Sequence, residues 1–320
     1  QLSELGALCL VICAKLSDAD STHLTLHDSC LPIVEVPNCR ILIMSYHLKA
    51  ESGVQLLARL NSHQSTAGLE EHLFHSGPEP KETIEIKGAP STGKTLLLTQ
   101  FIMKSILPPI FKDIKLNGLN VGVILIETDS HFNILKLVNL MERFILKKST
   151  SKGITIEQED IENLIKSSLN NLFLLTCHSS PELFVTFHQL PSLLIIHPSV
   201  SLILLDSVAA FYQQDVRSGG IRKIDIYCKK LVQVLQKCVS DYNVTLIYTK
   251  PSFFQSKSSI LEEFSVEPKV GKINRKIELK FHESESNMFV ATIQNYNSST
   301  QVMYTINNQG LKWIKVKTSE

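Results

Sequence analysis

The sequence predicts an α/β protein: a mostly parallel central sheet covered by helices, with antiparallel strands at its C-terminal end. Three observations carry that reading. From about Thr83 onward, short apolar runs alternate with longer segments of helical period. Two of the runs, Asn120–Thr128 (NVGVILIET) and Ser201–Asp206 (SLILLD), are nearly free of polar residues, as strands buried on both faces must be. The last stretch changes to short strand-like runs separated by polar turns.

Taken in order, Thr83–Lys87 (TIEIK) reads as a strand, followed by a glycine-rich turn and a helix over Lys94–Ile106. After the strand Asn120–Thr128, a helix is predicted over Phe132–Lys147. A polar break at Ser149–Gly153 and a second helix over Ile156–Leu169 follow, the latter with Glu157, Glu159 and Asp160 in its first turn, where the helix dipole favours acids. Leu172–Cys177 is a strand, Pro181–His197 helix, Ser201–Asp206 strand, Ile221–Tyr242 helix and Val244–Thr249 strand. Lys250–Gly271 loses periodicity and reads as a loop. Lys276–Phe281, Met288–Gln294, Val302–Ile306 and Leu311–Val316 read as the antiparallel extension.

The 320 residues suffice for one large α/β domain, and 43 % hydrophobic content argues against general disorder. Residues 1–43 differ from the rest: they begin with Gln, mix apolar runs with Pro32 and Pro37, and precede the first methionine, Met44. They read as an extension foreign to the native protein or as an ordinary mobile tail, with residues 44–320 as a single domain. Glu51–Leu60 reads as a helix within it. A formal charge of +1 supplies no global field for nucleic acid, so any such contact is local. Seven cysteines form no CxxC pair and no zinc-ligand spacing, which fits a reducing, intracellular compartment. No run reaches the roughly 18 apolar residues of a spanning helix, and Leu8–Ala14 lacks the basic flank of a signal peptide.

The most specific motif is Gly88-Ala89-Pro90-Ser91-Thr92-Gly93-Lys94-Thr95, a match to GxxxxGK[ST]. Glycines let the backbone bend so that its N–H groups surround phosphate oxygens. Lys94 reaches the β- and γ-phosphates, and the Thr95 hydroxyl holds Mg²⁺. A chance match in a chain of this length is on the order of one per cent. ATP and Mg²⁺ are therefore the expected ligands. Asp206 is the second expected Mg²⁺ partner, acting through water, because its apolar strand ends in an acid and is expected to emerge beside the phosphate loop. Asp129, just past the strand Asn120–Thr128, is placed either to position the attacking water or to cap the following helix; Ser130 and Asn133 suit the cap equally. Lys269, Lys272, Arg275 and Lys276, following Phe253 and Phe254, form either a DNA-contacting patch or a solvated loop.

These segments, GAPSTGKT, ILIETDSHF and LILLDSVAAFY in this order and spacing, resemble the RecA/RadA recombinase superfamily. With MSYHLKAESGVQLLARL and LLTCHSS the likeness narrows to its recombinase paralogues, close from Met44 to Thr249 and looser beyond. The resemblance implies a RecA-like ATPase core and nuclear work in homologous recombination and double-strand break repair. It also implies assembly with other recombinase paralogues, the D-type one as direct neighbour, in a complex that assists the main recombinase at single-stranded or branched DNA. Two departures qualify it. Asp129 stands where active members carry glutamate, and Lys250-Pro251 stands where they carry Asn-Gln. Both imply ATP binding with weak or absent DNA-dependent hydrolysis. A DNA-dependent ATPase motor using Asp129, and an interaction scaffold that binds no nucleotide, are the alternatives. A small-molecule kinase is disfavoured by the lack of an arginine-rich lid.

Overall fold

Strands made of continuous Ile, Val and Leu can satisfy their backbone only in a shared ladder, and their side chains only between two covering layers. The computed structural model describes residues 34–36, 39–41, 65–74, 77–252, 272–282, 287–295, 298–307 and 310–314. The chain separates into an N-terminal unit, residues 1–36 with 40–48, and a body formed by the remainder. Two short strands, β1 (Val34–Val36) and β2 (Cys39–Ile41), pair with each other. Otherwise the expectations for residues 1–43, and the helix expected at Glu51–Leu60, lie outside the described residues.

The body is built on one nine-stranded sheet. Its strands are β3 (Thr83–Gly88), β6 (Gly122–Glu127), β7 (Leu172–Thr176), β8 (Val200–Asp206), β9 (Thr245–Pro251), β10 (Arg275–Phe281), β11 (Met288–Gln294), β12 (Ser299–Asn307) and β13 (Gly310–Ile314). A separate hairpin, β4 (Ile110–Phe111) with β5 (Ile114–Lys115), was not foreseen. The spatial order is β13-β12-β11-β10-β3-β9-β8-β6-β7. From β10 to β7 neighbours run parallel, and from β10 to β13 they run antiparallel. The α/β class, the mostly parallel sheet and the C-terminal antiparallel strands are as the sequence predicts.

The helices are α1 (Lys94–Ile106), α2 (Ile134–Lys152), α3 (Gln158–Leu169), α4 (Ser180–Ile196), α5 (Tyr212–Arg217) and α6 (Ile224–Val239). Alternate residues of each central strand feed two separate cores. Val123, Leu125, Leu202 and Leu204 join Leu97 and Phe101 of α1 and Leu137 of α2 on one side. Ile124, Ile126, Ile203 and Leu205 join Leu183 and Phe187 of α4 and Leu231 of α6 on the other. That double commitment is why no polar position interrupts these runs. Tyr304 and Trp313 of the C-terminal meander extend the first core, with ring centroids 5.4 Å apart.

Helix ends depart from expectation for local reasons. The polar stretch at Ser149 does not end α2, because Thr150 and Ser151 donate their hydroxyls back to the carbonyls of Leu146 and Lys148, at 2.9 and 2.8 Å. The helix stops instead at Gly153, in the left-handed region at φ 66°. α6 is shorter than expected at both ends, and α5 was not foreseen. Among the described residues no helix is long and apolar enough to cross a membrane.

Phe101 is 1 % exposed and packs against Phe74 at a centroid distance of 6.1 Å. Phe101→Ala should therefore cost about 3–5 kcal/mol of stability, read as a lower denaturant midpoint with an unchanged slope.

Candidate functional site

The loop between β3 and α1 is shaped by the backbone at Gly93, Ser91 and Gly88. Gly93, the residue before α1, has φ 88°, and a Cβ there would lie 2.9 Å from the Ile306 side chain. Ser91, at the exposed apex beside Pro90, has φ 64°. A Cβ on Gly88 would meet the Thr92 hydroxyl at 2.6 Å. Inside the turn, the Ala89 carbonyl accepts from the Thr92 hydroxyl at 2.8 Å. From behind, the buried Tyr304 hydroxyl donates to the Thr92 carbonyl at 2.7 Å. The meander thus braces the loop.

The end of α1 carries no acidic residue in its first turn and no side-chain cap. Its N–H groups form a positive end open to an acceptor, which fits an anion. Lys94 turns back over the loop, donating to the carbonyls of Gly88 and Ala89, both at 2.9 Å. Burial lowers its pKa, while the charges of Asp206 and Asp129 pull the other way.

Opposite the loop stand three carboxylates. Asp206 ends β8; one oxygen accepts from the Thr95 hydroxyl at 2.7 Å and the other from the Thr249 hydroxyl. Asp206 thus emerges beside the phosphate loop as expected, although β9 lies between β8 and β3 in the sheet. Asp206 reaches the loop through Thr95 on α1 rather than through a shared ladder. Asp129 accepts from the Ser207 hydroxyl at 2.7 Å. It does not cap α2; that role falls to Asn133, whose side chain accepts from the Lys136 N–H at 3.1 Å. Glu127, at the end of β6 and paired in register with Asp206, was not singled out from sequence. Burial raises its pKa, assisted by the charge of Asp206, against the hydrogen bond it accepts from the Phe132 N–H at 2.6 Å.

Further parts of the site were also missed. Thr128 and Ser207 lock the tips of β6 and β8 together: the Ser207 N–H donates to the Thr128 hydroxyl at 2.7 Å, which donates to the Ser207 carbonyl at 2.8 Å. The peptide between Asp206 and Ser207 is cis. Thr249 had a signal in the sequence, as the polar end of an apolar strand; Ser207 and Thr128 had none beyond their neighbours. At the end of β9, Lys250 donates to Asp225 at 2.7 Å. Burial lowers its pKa, but Glu85, Asp225 and Cys228 outweigh that and the net shift is upward. Lys250 is thereby turned toward α6.

The basic run is partly reassigned. Arg275 bonds Glu82 at 3.1 and 3.3 Å and lies over the Phe74 ring, so it is a packing residue and not a phosphate contact. Lys269, Phe253 and Phe254 lie outside the described residues. Cys177 and Cys228 are buried, Cys177 against the Thr186 hydroxyl at 3.3 Å, and burial pushes the Cys228 thiol up to about 12. Among the described residues no three His, Cys, Asp or Glu side chains group as a metal cluster.

No family model matches the chain. It is 35 % identical to mouse DNA repair protein XRCC2 over 214 residues, which are 66 % of this chain and 71 % of that one. It is 24 % identical to DNA repair protein RAD51 homolog 3 of Dictyostelium discoideum over 184 residues, 55 % of this chain and 45 % of that one. With the XRCC2 homolog of Arabidopsis thaliana the identity is 23 % over 212 residues, 54 % of this chain and 55 % of that one. The chain thus spans about half the length of the last two relatives.

Two predictions follow from the site. The folded chain holds a proton on Glu127 that the unfolded chain releases, in the window above the ordinary value of 4.5. The stability Glu127 contributes is complete below that value and is lost as pH rises through its higher folded pKa. Glu127→Gln should therefore melt at a higher temperature than wild type at mildly alkaline pH, the gap closing as the medium is acidified. Tyr304→Phe keeps the ring and strands the Thr92 carbonyl, so it should cost about 1–3 kcal/mol in denaturant titration.

Proposed function

The chain belongs to the XRCC2 family of DNA repair proteins, and from that premise we propose that it is an ATP-binding subunit of a recombinase-paralogue complex acting in homologous recombination. Within that reading its neighbours are other recombinase paralogues, the D-type one among them, its place of work is the nucleus, and single-stranded or branched DNA is met within the complex.

The observation that carries the nucleotide reading is the uncapped, acid-free end of α1 facing Asp206 across Thr95. The loop Gly88–Thr95 would surround the phosphates with backbone N–H groups, and Lys94 would leave its two carbonyls to meet them. Thr95 and Asp206, already in contact, would hold Mg²⁺, Asp206 through water. Bound Mg²⁺ supplies positive charge against the phosphate oxygens.

Hydrolysis is disfavoured by the same residues. Asp129, one methylene shorter than the glutamate of active members, would hold the attacking water further off, and the Ser207 hydroxyl ties one of its oxygens in place. In this reading Lys250, held by Asp225, and Pro251, without an amide, leave no side chain at the tip of β9 to report the γ-phosphate. ATP then acts chiefly as an ordering ligand: ligand at about a hundred times its Kd stabilises the folded state by about 2.7 kcal/mol without turnover.

Titrating ATP and Mg²⁺ into the chain, alone and with its D-type neighbour, should raise the melting temperature. Lys94→Ala should weaken ATP binding by about tenfold or more, a change of about 1.4 kcal/mol. No ATP binding by the wild type, with complex assembly unaffected by Lys94→Ala, would leave the scaffold reading standing. Turnover stimulated by single-stranded DNA and abolished in Asp129→Asn would establish the motor instead.

A further inference from the structure

On the side of the sheet covered by α4 and α6, away from the phosphate loop, the surface opens into a groove of about 690 Å³. Its walls are Pro181 and Phe184 of α4, Ile221, and Leu231 and Val234 of α6. Phe184 remains 37 % exposed, so a large aromatic side chain is left half in water. A concave apolar surface that leaves a large aromatic ring exposed is a candidate binding site.

The charges around it are one-sided. Arg217 adjoins the lining residue Ser218, Arg222 and Lys223 follow Ile221, and Lys230 lines the groove itself. All four are exposed, and none makes an ion pair among the described residues. The nearby acids are already engaged. Asp215 accepts from the Tyr227 hydroxyl at 2.8 Å, Asp225 from Lys250 at 2.7 Å and Glu182 from the His178 N–H at 2.7 Å. In a chain with a formal charge of only +1, this is a local excess of cations around an apolar floor.

We propose that the groove between α4, α5 and α6 docks an acidic peptide segment of a partner protein, which seats an aromatic or leucine anchor against Phe184 and sets its carboxylates against Arg217, Arg222 and Lys230. The complementarity is that of a short segment with one apolar anchor: the cavity takes one or two large side chains, and the rim supplies their charged neighbours. Nucleic acid fits less well: base stacking needs a series of open aromatic faces, whereas Phe184 is the sole exposed ring in the lining. This inference is independent of the nucleotide reading, since no residue of the groove belongs to the phosphate loop.

The test is to pan phage-displayed random short peptides against the full chain. The enriched peptides should share Asp or Glu residues flanking a Phe, Trp or Leu. A synthetic copy of one should lose at least about tenfold in affinity against Phe184→Glu and against Lys230→Glu, and should bind more weakly as salt is raised. Both substitutions fall at exposed positions, and unchanged melting temperatures would confirm that both variants fold. Absence of enrichment, enrichment of neutral or basic peptides, or equal binding to both variants would overturn the proposal. So would displacement of the peptide by oligo-dT with loss of oligo-dT binding in the same variants, which would give the groove to nucleic acid.

Discussion

The body of this protein turns on one carboxylate. Asp206 closes a strand buried along its whole length, and its two oxygens are divided between Thr95 on the helix behind the phosphate loop and Thr249 on the strand between. A buried acid left unpaired would be costly, so each hydroxyl is held as firmly as it holds. The pairing fixes how far α1 stands from the sheet's upper edge. It also sets the spacing between the loop and the tips of β6, β8 and β9. The remaining contacts, Ser207 to Asp129 and Thr128 to Ser207, are arranged around that spacing.

Two supports keep the arrangement rigid. Beneath it, the central strands alternate their side chains between two cores, so neither helical layer can slide without dragging the other. Beside it, the antiparallel meander adds more than width to the sheet. Tyr304 passes a hydroxyl into the turn of the loop, and the Ile306 side chain fills the space that a side chain at position 93 would take. The C-terminal strands thus shape the loop that carries the GxxxxGK[ST] motif.

Much of this was legible in the sequence, and what was not has a physical reason. The phosphate loop, Asp206 and the buried strands were plain because each needs residue types that little else explains: paired glycines, a terminal acid, unbroken apolar runs. Strand order was not. Nothing in SLILLD or VTLIYT says which lies nearer β3, since both are apolar on both faces, yet Asp206 still emerges next to the loop because Thr95 reaches it. The end of α2 was misjudged because Ser149, Thr150 and Ser151 look like a break in isolation, yet satisfy themselves against the helix once it exists. Glu127, Ser207 and Thr249 escaped notice because their importance is relational. Each matters only through a neighbour distant in the chain.

The posture of Lys94 has a consequence for which anions this protein can recognise. Its ammonium is already served by two carbonyls of its own loop, so a newcomer meets a competitor rather than a vacancy. An isolated sulfate or inorganic phosphate offers little more than those carbonyls do. A polyphosphate, which could engage the helix end with one group while presenting another to the lysine, would compete better by being in two places at once. Under the proposed nucleotide reading, the loop would then discriminate by the length of the phosphate chain.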